Sequence, residues 1–138
     1  MNRRHAVLSL VLLSACTTSE HLAIAEAQVP KLHRSMNEGA FEQIWYQATT
    51  QFQNTYPKEV FVALMLTVQR DLGEVRSAER QGWRAAYQGT GIEVTLSLST
   101  RFAKGEARET VGYRVESGTA YLTTYLVESK QFAKRSDA

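Results

Sequence analysis

One change of period constrains the fold of this chain more than any other feature. Up to Leu72 the apolar residues recur at helical spacing, and after Gly73 they alternate with polar ones. Ala25, Val29, Leu32 and Met36 step by four, three and four, so residues 22–38 are expected to form a first helix with one buried stripe. Pro30 falls inside it and implies either a kink or a true start there, because proline lacks a donor and crowds the preceding turn. Residues 40–53 are expected as a second helix, with Phe41, Ile44, Trp45, Ala48 and Phe52 on one face. A third helix, opening after Pro57 and stopping at Gly73, carries Phe61, Leu64, Met65, Val68 and Leu72.

Beyond Gly73 the spacing is two. Ile92, Val94, Leu96, Leu98 and Phe102 alternate with Glu93, Thr95, Ser97, Ser99 and Arg101, the pattern of a half-buried strand. Ala107, Val111, Tyr113 and Val115 form the apolar side of another, and Thr119 to Val127 is rich in strand-favouring residues. Glu74 to Gln88 is a less regular strand in which Gly82 suggests a bulge. Short glycine turns at Gly89-Thr90-Gly91, Lys104-Gly105 and Glu116-Ser117-Gly118 fit a meander. Helices followed by antiparallel strands imply an α+β fold, with about three helices on one face of a curved four-stranded sheet.

The N-terminus has its own logic. Asn2-Arg3-Arg4-His5 is a short positive start, Ala6 to Leu13 an apolar run, and Leu13-Ser14-Ala15-Cys16 a small-residue site ending in cysteine. Such a segment reads as a secretory signal, and it is too short for the roughly 20 apolar residues that span a bilayer. Leu13-Ser14-Ala15-Cys16 resembles the lipobox of bacterial lipoproteins. That resemblance implies cleavage before Cys16 and attachment of fatty acyl chains, such as palmitate, at Cys16. Two or more chains hold a protein stably, whereas one does so only marginally. Cys16 is the only cysteine, so no internal disulfide exists and the domain must stand on its core.

The expected organisation is therefore a signal peptide over 1–15, a lipidated cysteine and tether over 16–21, a single domain over 22–128 and a flexible tail over 129–138. Removing the signal lowers Lys+Arg from 16 to 14 against 14 Asp+Glu, leaving no net charge. Charges of opposite sign are interleaved, as in Lys58-Glu59 and Glu79-Arg80, which argues against a nucleic-acid partner. Thr17 follows the lipidated position, a pattern that resembles sorting to the outer membrane, facing the periplasm, if the source is Gram-negative.

The layout and several stretches together resemble the bacterial lipoprotein-type family known as domain of unknown function 4019. These stretches are Gly39 to Trp45, Arg70 to Arg76, and Glu109 to Gly118. The resemblance, over roughly residues 25–127, implies a cystatin-like or nuclear-transport-factor-2-like fold and no particular activity. Where that family commonly carries Trp after the last glycine turn, this chain has Ala120, which implies a smaller or more open apolar end.

Chemistry-bearing motifs are few. There is no G-x-S-x-G, no phosphate-cradling loop and no H-E-x-x-H, so no catalytic residue, metal site or cofactor is assigned. His21 and His33 stand twelve residues apart, without an acid at ligand spacing, and read as surface histidines. Trp45, Trp83 and Tyr87 are candidates to line a pocket between helices and sheet, although Trp45 lies on the apolar stripe and fits the core. Arg70 either reaches a ligand carboxylate or pairs with Glu74 one turn on. Val62 and Leu66 lie off the main stripe of the third helix. That helix is therefore either buried on two sides or meets a partner, a second copy included.

The favoured expectation is a lipid-anchored, non-enzymatic envelope protein that binds a partner or a small ligand. The alternative is a small pocket enzyme, an isomerase or hydrolase, which needs a buried acid or histidine at its pocket floor. Mass spectrometry of the natural product should show an N-terminus at Cys16 carrying acyl chains; an intact leader or a bare thiol would contradict the anchor.

Overall fold

The computed structural model describes residues 16–89 and 91–132; the expected signal peptide, and the tail from residue 133 on, lie outside them. Four helices, α1 (Cys16–Asn37), α2 (Phe41–Gln47), α3 (Thr50–Thr55) and α4 (Lys58–Leu72), precede four strands. The strands are β1 (Val75–Gln88), β2 (Gly91–Phe102), β3 (Gly105–Glu116) and β4 (Thr119–Glu128). The sheet is an antiparallel meander in the order β1-β2-β3-β4, with the helices on one face. This is the expected α+β architecture.

The helical stripes bury as their spacing dictates. Ala25, Val29, Leu32 and Met36 of α1, Phe41 and Ile44 of α2, Phe52 of α3, and Phe61, Met65, Val68 and Leu72 of α4 all enter the core. They meet the even-numbered side of β2 (Val94, Leu96, Leu98, Phe102) and the odd-numbered side of β3 (Ala107, Val111, Tyr113, Val115). Each such side chain, fully buried, contributes roughly 1.5–3 kcal/mol.

Three details depart from the sequence reading. The first helix begins at Cys16, so residues 16–21, expected as a tether, are helical, and Pro30 lies inside the helix and not at its start. The expected helix over 40–53 is two helices, because Thr49 takes extended backbone and caps the second. Its hydroxyl accepts from Phe52 N at 3.1 Å, and its own N–H donates to Leu122 O of β4 at 3.0 Å. Finally, β1 is exposed along most of its length after Val75, which explains its irregular pattern: α1 touches it through Asn37 and Glu26 without burying its side chains. Its register shifts twice, between Val75 and Ser77 and between Arg80 and Gly82, the second beside the glycine that suggested a bulge.

Two glycines carry specific backbone demands. Gly73 ends α4 at φ 78°, a left-handed conformation that turns the chain toward β1. The turn is fastened to the β2–β3 connection by Lys104 N donating to Leu72 O and Ala103 N to Glu74 O, both at 2.8 Å. At Gly112 a Cβ would stand 2.9 Å from Thr123 Oγ1 and 3.0 Å from Thr124 Cβ, where β3 and β4 shift register. Gly112→Ala should therefore lower stability by about 1–3 kcal/mol in urea unfolding; an unchanged midpoint would show that the strands relax freely there.

Candidate functional site

A carboxylate lies inside the apolar layer. Glu109 of β3 has no exposed surface, and its side chain points with Ala107 and Val111 toward the helices. Its oxygens are answered from three other elements. His33 Nε2 of α1 lies 2.8 Å from Oε1, Thr100 Oγ1 of β2 donates to Oε1 at 2.5 Å, and Tyr125 Oη of β4 donates to Oε2 at 2.5 Å. The strand partners arrive by register. Glu109 pairs with Leu98 and Val127, which makes Thr100 and Tyr125 its diagonal neighbours on the same face.

Burial pushes the Glu109 carboxyl up, while the hydrogen bond and charge of His33 and the hydroxyls of Thr100 and Tyr125 pull it down. The balance leaves it below the usual carboxylate range. Burial, then the nearby Glu109 charge, raises both Tyr113 and Tyr125, so both phenols stay neutral donors.

His33, expected at the surface, is buried at 7 % exposure and forms this pair. Its ring edge borders an open groove between α1 and the start of β1. The sequence signal was present in both cases. His33 is four residues after Val29 and three before Met36, and Glu109 lies between Ala107 and Val111 in strict alternation.

Beside this network a cleft of about 130 Å³ opens between α1, α2 and the β3–β4 pair. Leu32, Ile44, Ala120 and Leu122 form its buried apolar part, and Gln28, Lys31, Ser35 and Gln47 its more exposed edge. Tyr113 also lines it. The Tyr113 hydroxyl is buried and has no hydrogen-bond partner among the described residues. The three bonds to Glu109 come from His33, Thr100 and Tyr125 and none from Tyr113, so this phenol is a donor without a partner among the described residues. A buried donor left unpaired costs about 1–3 kcal/mol.

The residues singled out from the sequence lie elsewhere. Trp45 is partly buried against the core and donates from Nε1 to Tyr56 O at 2.6 Å. Trp83 and Tyr87 sit on β1 with 42 % and 86 % exposure and line none of the cavities described. Arg70 pairs with Asp71 at 3.1 Å rather than with Glu74, which lies 3.6 Å from Arg76. Leu66 is half exposed and Val62 partly buried, so the second face of α4 is open at Leu66. Among the described residues no His, Cys, Asp and Glu cluster could hold a metal ion, and no helix is long and apolar enough to cross a membrane.

Comparison of the sequence with protein-family models and with curated proteins gives no match.

The Glu109 network makes a signed prediction. A carboxyl held below its unfolded value of about 4.5 contributes stability that is complete above that pH. The contribution is lost as pH falls through the lower folded value. Glu109→Gln should cost about 3–5 kcal/mol at neutral pH, as for one broken partner of a buried pair. It should also flatten the acid limb of the stability profile, read by thermal unfolding from pH 7 down to pH 3. An acid limb as steep as in the parent protein would locate the responsible group elsewhere.

Proposed function

We propose that this chain is a lipoprotein of the bacterial envelope, tied to a membrane through acyl chains on Cys16. In this reading its domain is a non-enzymatic binding module for a small ligand. The observation that carries the binding role is the buried, unpartnered hydroxyl of Tyr113, a residue that lines a cleft with an apolar floor. The cleft is close in size to an engineered cavity of about 150 Å³ that takes up benzene, so it suits a ligand of about six to ten heavy atoms. The phenol stays protonated and donates, so the ligand must present an acceptor. The Glu109 charge nearby disfavours an anion, which favours a neutral carbonyl or amide oxygen.

The anchor is supported by the lipobox-like Leu13-Ser14-Ala15-Cys16 and by the lone cysteine. Thr17 favours outer-membrane placement in a Gram-negative cell. The likeness to the family of domain of unknown function 4019 fits this reading, and Ala120 lines the cleft at the place where that family commonly carries Trp.

Titration with small aromatic ketones and amides, followed by methyl NMR shifts at Leu32, Ile44 and Leu122, tests the binding role. Tyr113→Phe should weaken a ketone about tenfold, equivalent to one hydrogen bond of roughly 1.4 kcal/mol, while leaving a benzene-like probe unchanged. Ala120→Trp should fill the cleft and abolish both. Shifts scattered over the surface, or equal binding of ketones to all three proteins, would refute the assignment.

One observation favours a second reading, a pocket hydrolase: Glu109 hydrogen-bonds a histidine whose edge meets a groove, the arrangement that orients an imidazole base. Turnover of p-nitrophenyl esters that is lost in a folded His33→Gln protein would support it over the binding module.

A further inference from the structure

The position of α1 against β1 fixes which end of the domain an anchor at Cys16 would bring to the membrane. The Asn37 side chain brackets Val75, donating to its carbonyl at 3.1 Å and accepting from its N–H at 2.8 Å. Eleven residues earlier, Glu26 Oε1 lies 2.6 Å from Nη1 of Arg80, five residues along β1. Eleven helical residues rise about 16 Å; Val75 and Arg80 pair with Phe102 and Leu98, so across the irregularity between Val75 and Ser77 the strand advances four positions, about 13 Å. Helix and strand therefore run antiparallel and side by side, with rises that agree to within about 3 Å. The ten further residues back to Cys16 rise about 15 Å, to roughly the level of Ala85. Tyr87 lies one pleat beyond, about 7 Å further.

At that end of the sheet stand two exposed tyrosines. Tyr87 is 86 % exposed and pairs with Ile92 on the helix-facing side. Tyr121 of β4 is 44 % exposed and pairs with Arg114 on the opposite side, one residue from the same level. Aromatic rings with a polar tip are enriched at the headgroup level of membranes. Surface-lying elements sink about 5–10 Å into that layer, which is the depth between the Cys16 level and Tyr87.

We infer that the end of the sheet bearing Tyr87 and Tyr121 rests in the headgroup layer of the bilayer, making a second contact beside the acyl anchor. This holds the domain upright and turns the β2–β3 connection, at the opposite end, away from the membrane. The inference rests on attachment at Cys16.

The sole thiol allows the test to impose that attachment. The chain from Cys16, which contains every element described above, is coupled through Cys16 to a maleimide phospholipid in phosphatidylethanolamine–phosphatidylglycerol vesicles. Two variants in a Trp83→Phe background, in which Trp45 gives an emission common to both that is subtracted using the Trp83→Phe parent, are compared: Tyr87→Trp, and Arg101→Trp at the opposite end of the sheet. With brominated phospholipid present, the Tyr87→Trp protein should show blue-shifted emission and lose fluorescence to the bromines, and the Arg101→Trp protein should show neither change. An unquenched Tyr87→Trp protein, or equal quenching of both, overturns the inference. So does shielding of position 87 accompanied by cross-links between copies, which would make a second chain the occupant. Because the anchor is chemical, failure here leaves the natural lipidation standing, and an unlipidated natural product leaves this result readable.

Discussion

A single ionised group inside the core governs how the layers of this domain meet. A carboxylate taken out of water is costly unless its lone pairs are answered. Glu109 meets that demand with a histidine from α1, a threonine from β2 and a tyrosine from β4. Apolar contact alone is non-directional and tolerates sliding of a helix over a sheet. The three bonds to Glu109 do not, because each requires its own donor geometry. The His33 bond fixes α1 over the middle strands from a residue 76 positions away in the chain.

The cleft lies beside this network. Glu109 accepts bonds from Thr100 and Tyr125 and pairs with His33, and Tyr113 makes no bond to it. Tyr113 is buried, neutral and unpartnered at a place where Ala120 leaves room between α1, α2 and β4. The helix that supplies His33 to Glu109 also supplies Leu32 and Lys31 to the cleft.

Much of the fold was legible because burial follows period. The stripe from Ala25 to Met36, the face from Phe61 to Leu72 and the alternation of β2 all entered the core as spaced. The break at Thr49 was not visible, since the helical stripe runs on through Ala48 to Phe52 and only the bond to Leu122 reveals the interruption. The candidate site was largely missed because residue type outweighed position. Glu109 and His33 occupy inward places by parity and by turn, yet acid and imidazole suggest solvent. Trp83 and Tyr87 suggest a pocket by type, yet they sit exposed on an edge strand. The orphaned phenol, a matter of where hydroxyls point, has no sequence signature.

The central claim is that the Tyr113 hydroxyl is kept for a bound molecule. A crystal structure of the domain soaked with a small aromatic ketone tests this most directly. The account requires the ketone oxygen within about 3.2 Å of Tyr113 Oη, with Glu109 still held by His33, Thr100 and Tyr125. A Tyr113 hydroxyl bonded instead to a protein acceptor, in a cleft closed by its own side chains, would contradict it.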